Sequence, residues 1–238
     1  CSVYGKSSST TMKAVIPIAG KSTRMSKTYR RAKQLLPVAG RPLIEHTLDT
    51  LPEDIDELVL IVGGPYEDEV RSYFGSEHRG RTVTYVKQTE QKGLGHAIQQ
   101  AAGHVHGRFL VFVPDDLYGE GDLKRLVESE GLAALAQRRD DPENFGVFVC
   151  DPEGYIVRTV EKPKTFISNL CSIGAYVLDD EFFDVEVPPS DRGEIELPDI
   201  VNALVNERGR KIRIVEGKMW LPVNSPEQLA IADQEMKK

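Results

Sequence analysis

The stretch Lys13-Ala14-Val15-Ile16-Pro17-Ile18-Ala19-Gly20 decides the fold. Behind Lys13 five apolar residues run unbroken into a small residue and a glycine, as in a strand that is covered on both faces and ends in a turn. Similar runs recur at residues 57–62, 82–87 and 108–113, dominated by Val, Ile, Leu, Phe and Tyr. Helical patterns fall between them at 42–51, 67–74 and 95–103. Strands alternating with helices predict βαβ units around a mostly parallel, doubly wound sheet. After a further helix at 122–130 the pattern changes. Residues 145–150 and 155–161 flank the turn-rich Asp151-Pro152-Glu153-Gly154 and predict a hairpin. A strand at 173–178, a helix at 194–207, a strand at 211–216 and a closing helix at 225–236 complete the chain, the last begun by a Ser225 cap with Pro226 in the first turn.

Composition limits what such a domain does. The chain has 238 residues, enough for one α/β domain to bury a full core. Its net charge of −7 argues against a protein that coats nucleic acid through the phosphates, so any phosphate site is local. Cys1, Cys150 and Cys171 form no CxxC pair, which suggests neither a disulfide framework nor zinc and fits a reducing, cytoplasmic compartment. No apolar run approaches the roughly 18 residues of a membrane span. Residues 1–11 are small and polar and read as a flexible appended tail, with Met12 as a native start and 12–238 as a single domain.

The first strand runs out through Ala19 and Gly20 into Lys21, Ser22, Thr23, Arg24 and Met25. A small-residue turn lets backbone N–H groups approach phosphate oxygens, and Arg24 adds a bidentate partner. Eight residues on comes Lys33-Gln34-Leu35-Leu36-Pro37-Val38-Ala39-Gly40-Arg41-Pro42-Leu43. The two motifs, in this order, resemble the opening of the sugar nucleotidyltransferase, or NDP-sugar pyrophosphorylase, family. That resemblance implies a three-layer α/β/α sandwich with a mostly parallel, Rossmann-like sheet. It also implies Mg2+-dependent joining of a nucleoside triphosphate to a sugar 1-phosphate, with Arg24 and Lys33 on the triphosphate and Ala19, Gly20, Ser22 and Thr23 in the nucleotide site. Where the family usually has a second glycine, this chain has Ser22, whose Cβ crowds a close backbone approach.

Further family-like segments follow in order. Gln88 at the end of the third strand and Gly93 five residues on resemble the base-reading segment. A carboxamide complements the N3–H and a carbonyl of uracil or thymine, which favours UTP or dTTP; His96 reads as a helix-surface residue. Pro114-Asp115 aligns with the family's Gly-Asp, making Asp115 the expected Mg2+ ligand and Asp116 the second candidate. Carboxylates at the carboxyl end of a parallel strand face the ligand crevice of such sheets. Many relatives have Trp-x-Asp near the C terminus. Here Trp220 is followed by Leu221 and Pro222, which cannot bind metal, and the second ligand falls on Asn224.

The resemblance puts sugar-phosphate contacts on Gly146, Glu161, Lys162, the Gly174–Tyr176 segment and Arg192, with Lys162 also catalytic. A carboxylate accepts from sugar hydroxyls while a lysine neutralises the incoming phosphate. Three alternatives stay open at this level: an ordinary hairpin ion pair at Glu161 and Lys162, a cytidylyltransferase acting on phosphocholine or another non-sugar phosphate, and a nucleotide-binding regulator without catalysis. A homo-oligomer is equally compatible, and the hexapeptide repeats that some relatives use for acetyl transfer are not seen.

Overall fold

The computed structural model describes residues 11–20, 25 and 28–238. The expectations placed on Ser22, Thr23, Arg24 and the residue 1–10 tail lie outside the described residues. The first half contains β1 (Met12–Pro17), β2 (Pro37–Val38), β3 (Arg41–Pro42), α1 (Leu43–Leu48), β4 (Ile55–Val62), α2 (Glu67–Phe74), β5 (Glu77–His78), β6 (Arg81–Lys87), α3 (Leu94–Gln99) and β7 (Phe109–Phe112). The second half contains β8 (Asp116–Tyr118), α4 (Asp122–Glu128), β9 (Leu132–Arg138), β10 (Gly146–Cys150), β11 (Ile156–Glu161), β12 (Leu170–Leu178), α5 (Leu197–Asn206), β13 (Ile212–Glu216), β14 (Trp220–Pro222) and α6 (Pro226–Glu235).

At the centre of the sheet β7, β1, β4 and β6 run parallel in that order, and the antiparallel strands flank them. The apolar runs have no polar alternation because successive side chains enter two different cores. In β1, Ala14 and Ile16 face one core and Val15 the other; in β4, Leu58, Leu60 and Val62 oppose Val59 and Ile61. Helices α1, α2 and α4 cover the first face through residues such as Ile44, Phe74 and Leu126. The second face is covered by α3 and α5 through Ile98, Ile200 and Leu204. These are the three layers. At roughly 1.5–3 kcal/mol for each large apolar side chain removed from water, the two interfaces are the main source of stability.

Several short strands, β2, β3, β5, β8 and β14, lie outside the sequence expectation, and two longer elements depart from it with a clear physical reason. β9 was not anticipated, because Ala133, Ala134 and Ala136 have low strand propensity. It forms because both edges are paired, antiparallel to β12 and parallel to β13, in a space where residues 132–136 are all buried. Helix α5 starts at Leu197 rather than 194, because the preceding backbone is already bonded elsewhere: Ile195 N–H donates to Lys92 O at 2.7 Å, and Gly95 N–H donates to Ile195 O at 3.0 Å.

Candidate active site

Strand order reverses between β1 and β7, since the chain moves from β1 outward to β4 and β6 and then returns to the other side of β1. In open α/β sheets the ligand crevice lies beyond the carboxyl ends of the strands at such a point. A cleft of about 960 Å³ has Lys33, Val113, Asp115 and Asn224 among its lining residues, together with Gly146, Glu161, Lys162, Ser172, Gly174, Tyr176 and Trp220. Of the sequence-predicted positions, Lys33, Asp115, Gly146, Glu161, Lys162, Gly174 and Asn224 therefore meet in one cavity, drawn from both halves of the fold.

Lys33, Asp115 and Asn224 form a single cluster. The Lys33 ammonium donates to the Asp115 carboxylate and, at 3.0 Å, to Asn224 Oδ1. Lys33 opens a short 3-10 turn anchored by Glu69, whose carboxylate accepts from Ala32 N–H at 2.6 Å. Asp115 follows β7. Asn224 is fixed by α6: Ser225 caps the helix by accepting from Gln228 N–H, and the Gln228 carbonyl accepts from Asn224 N–H at 2.7 Å. The Ser225-x-x-Gln228 spacing is a helix-start signal that would have placed Asn224 from sequence. A carboxylate and an amide oxygen converging on one ammonium form a donor set that suits a hard divalent cation completed by phosphate oxygens.

Asp116 has a different role from its neighbour. It is buried, its Oδ2 accepts from the Trp220 indole at 2.8 Å, and its backbone oxygen accepts from the Thr47 hydroxyl. Burial, with the charge of Asp115 second, pushes its carboxyl well above the usual range. The short β8–β14 ribbon makes this contact by pairing Pro222 with Asp116 and Trp220 with Tyr118. Trp220 in turn packs edge-on against Phe145, with ring centroids 5.0 Å apart, beneath the Arg139 guanidinium.

At the acceptor positions, Gly146 and Glu161 are partners across the β10–β11 hairpin, and a Cβ on Gly146 would stand 3.0 Å from Glu161 Oε2. Lys162 has a φ of 43° and an ammonium 3.0 Å from the Glu161 carboxylate. Gly174, with a φ of +76°, sits at a register shift in β12, and a Cβ there would come within 2.5 Å of Val113. The shift brings Ser172 Oγ to 2.6 Å from the Tyr176 hydroxyl, a pair that regular strand alternation does not reveal. Asp141, also unanticipated, lines the cleft; hydrogen bonds from Arg139 hold its carboxyl below the usual range. Arg192 does not line the cleft and instead donates to Glu196 at 2.7 Å, which raises its pKa.

The predicted base positions group beside Ala19, apart from the cleft-lining residues. Gln88 is buried, and its Nε2 donates to His96 Nδ1 at 2.9 Å and to Gly93 O at 3.4 Å. His96 is thus part of this group, and burial, then Lys92, lowers its pKa, which favours the neutral ring. Gln91, which sequence reasoning passed over, donates to Ala19 O. Gly63 belongs here too, since a Cβ on it would lie 2.7 Å from Gln88 O and 3.5 Å from the Ala19 Cβ. Among the described residues nothing lies within 4 Å of a Cβ placed on Gly20.

Comparison with known proteins identifies the family. The sequence profile of the nucleotidyl transferase family matches residues 13–238. The bifunctional protein GlmU of Methanococcus maripaludis is 36% identical over 222 residues, which is 90% of this chain and 52% of that protein. The chain therefore spans about half the length of this relative. The UTP–glucose-1-phosphate uridylyltransferase AglF of Haloferax volcanii is 31% identical over 236 residues, covering 95% of this chain and 97% of AglF. Among solved structures, a Bacillus anthracis protein assigned as a glucose-1-phosphate thymidylyltransferase superposes with a TM-score of 0.84 at 30% identity, covering 95% of this chain and 96% of that one. A UDP-glucose pyrophosphorylase bound to UDP-glucose shares the fold, with a TM-score of 0.81 at 24% identity and coverage of 95% and 98%. With the profile spanning nearly the whole domain and AglF matched end to end, this chain belongs to the nucleotidyl transferase family, among the sugar nucleotidyltransferases.

Proposed function

We propose that this protein condenses a nucleoside triphosphate, UTP or dTTP, with a sugar 1-phosphate to give an NDP-sugar and pyrophosphate. The observation that carries the proposal is the joining of two chemistries in one cleft. The Lys33–Asp115–Asn224 cluster suits a triphosphate and its metal, while Glu161, Lys162 and the Ser172–Tyr176 hydroxyl pair suit a phosphorylated polyhydroxyl acceptor.

In this reading a phosphate oxygen of the sugar 1-phosphate attacks the α-phosphorus in line. The new P–O bond forms as the bond to the β-phosphate breaks, and pyrophosphate leaves with the electron pair. The nucleophile is already an anion, so the protein supplies no general base and forms no covalent intermediate. Its contribution is position and charge. Asp115 and Asn224 would hold Mg2+, which when bound neutralises triphosphate charge. Lys33 and Arg24 serve the triphosphate, and Lys162 screens the acceptor phosphate. Glu161 and Gly146 hold the sugar. Gln88, held through its Nε2 by His96 and Gly93 O, would read the base through its Oε1.

A turnover panel of triphosphates against phosphate acceptors, read by pyrophosphate release, tests the assignment. UTP or dTTP with a hexose 1-phosphate is expected to give the highest rates. Preference for CTP with phosphocholine would move the protein to a different acceptor class. Triphosphate binding with no pyrophosphate from any pair would make it a regulator.

A further inference from the structure

Lys33 occupies a position that the proposed chemistry gives to something else. Its ammonium is bound to the Asp115 carboxylate and to Asn224 Oδ1, and the Lys33 and Asp115 side chains are only 12% and 19% exposed. These two side chains are the ones assigned above to a divalent cation. A divalent cation and the ammonium on the same two side chains repel each other, and that repulsion is poorly screened in a site so little exposed.

The rest of the cluster has little freedom to relieve the conflict. Asp116, the adjacent carboxyl, is turned away to Trp220. Asn224 is tied to the start of α6 through Gln228. The backbone at Lys33 is anchored by Glu69. Lys162, the other lysine among the described residues that line the cleft, is paired with Glu161. The movable part is the four-carbon stem of Lys33, whose ammonium is a compact charge with three rotatable donors.

We infer that Lys33 is a displaceable counter-ion: a divalent cation takes Asp115 and Asn224 only as Lys33 leaves them, and the triphosphate supplies the anion to which Lys33 moves. The inference rests on the proposed assignment of Asp115 and Asn224 as metal ligands. Its consequence is reciprocal coupling. The metal alone binds weakly because it must evict an ammonium, and the nucleotide alone binds weakly because Lys33 is held by Asp115. Together they relieve each other, with a coupling in the usual range of about 5- to 150-fold. Lys33 thus couples metal binding to nucleotide binding in addition to contacting phosphate.

The test is Mn2+ binding without nucleotide, followed by the paramagnetic signal of the free ion, for wild type, Lys33→Met, Lys33→Gln and Lys33→Arg, each checked for folding by thermal melting. Mn2+ prefers the same oxygen donors as Mg2+. The two uncharged variants are expected to bind Mn2+ at least about fivefold more tightly than wild type. Lys33→Arg keeps the charge and should stay weak. Met and Gln variants that bind Mn2+ no better than wild type would overturn the inference while leaving the nucleotidyltransferase reading intact. Adding Asp115→Asn to Lys33→Met should abolish the tight Mn2+ binding; if that binding is unchanged, the metal assignment falls, and the inference with it.

Discussion

Replacing Gly93 with alanine separates two roles of the base loop. Gly93 has φ 98° and ψ 174°, a region essentially open only to glycine, so an alanine there costs on the order of 1–3 kcal/mol in backbone strain. The added Cβ would lie 2.7 Å from Ile195 O and 2.9 Å from the Glu194 Cβ. Neither is a flexible side-chain end, so the 194–195 segment must retreat. That movement strains two hydrogen bonds, from Ile195 N–H to Lys92 O and from Gly95 N–H to Ile195 O, each worth about 1 kcal/mol net. The expected total is roughly 3 kcal/mol, which at about 2–4 °C per kcal/mol lowers the melting temperature by roughly 6–12 °C. Gly103→Ala is the matched reference, because its φ is +77° but nothing lies within 4 Å of its Cβ position. It should cost only the backbone term, about 1–2 kcal/mol. The assay is reversible denaturant or thermal unfolding of both variants. If Gly93→Ala is no less stable than Gly103→Ala, the close approach of the Glu194–Ile195 backbone does not constrain this glycine.

Two further outcomes follow from the site. The Asp116 carboxyl titrates above its unfolded value, so between the two values the folded chain binds more protons than the unfolded one. Its contribution to stability is complete below the unfolded pKa of about 3.9 and is lost as pH rises through the folded pKa. Asp116→Asn keeps an acceptor for the Trp220 indole but cannot ionise, so its stability profile should lack that fall; an unchanged slope would refute the assignment. Lys162→Ala should raise the KM for the sugar phosphate at least about tenfold more than that for the triphosphate, as expected for loss of one charge-assisted contact worth about 1.5–3 kcal/mol. Equal effects on both substrates would place Lys162 elsewhere in the reaction.

The parallel centre of the sheet was legible in the sequence because strands buried on both faces carry unbroken apolar runs, as β1, β4 and β7 do. β9 was hidden because its alanines are chosen for space between β12 and β13, and local propensity does not register that. The same division holds in the site. Lys33, Asp115, Glu161 and Lys162 could be found because their motifs are local. Ser172 with Tyr176, and Gln91 on Ala19, depend on a register shift or on strands far apart in sequence, so no spacing signals them. Gly93 and Gly174 were read as ligand positions, yet each also has a packing reason to be glycine. The absence of a side chain looks the same in sequence for both purposes.

In the proposed reaction one cleft joins a triphosphate to a sugar phosphate through the cluster at Asp115. The most direct test is pyrophosphate release measured with triphosphate alone and with triphosphate plus sugar 1-phosphate, for wild type and Asp115→Asn with Mg2+ present. Wild type is expected to release pyrophosphate only when both substrates are supplied, and release should fall by at least about 100-fold in Asp115→Asn, a loss of the size seen when one transition-state charge contact is removed. Release from the triphosphate alone, or near-normal release by Asp115→Asn, would contradict the proposed reaction.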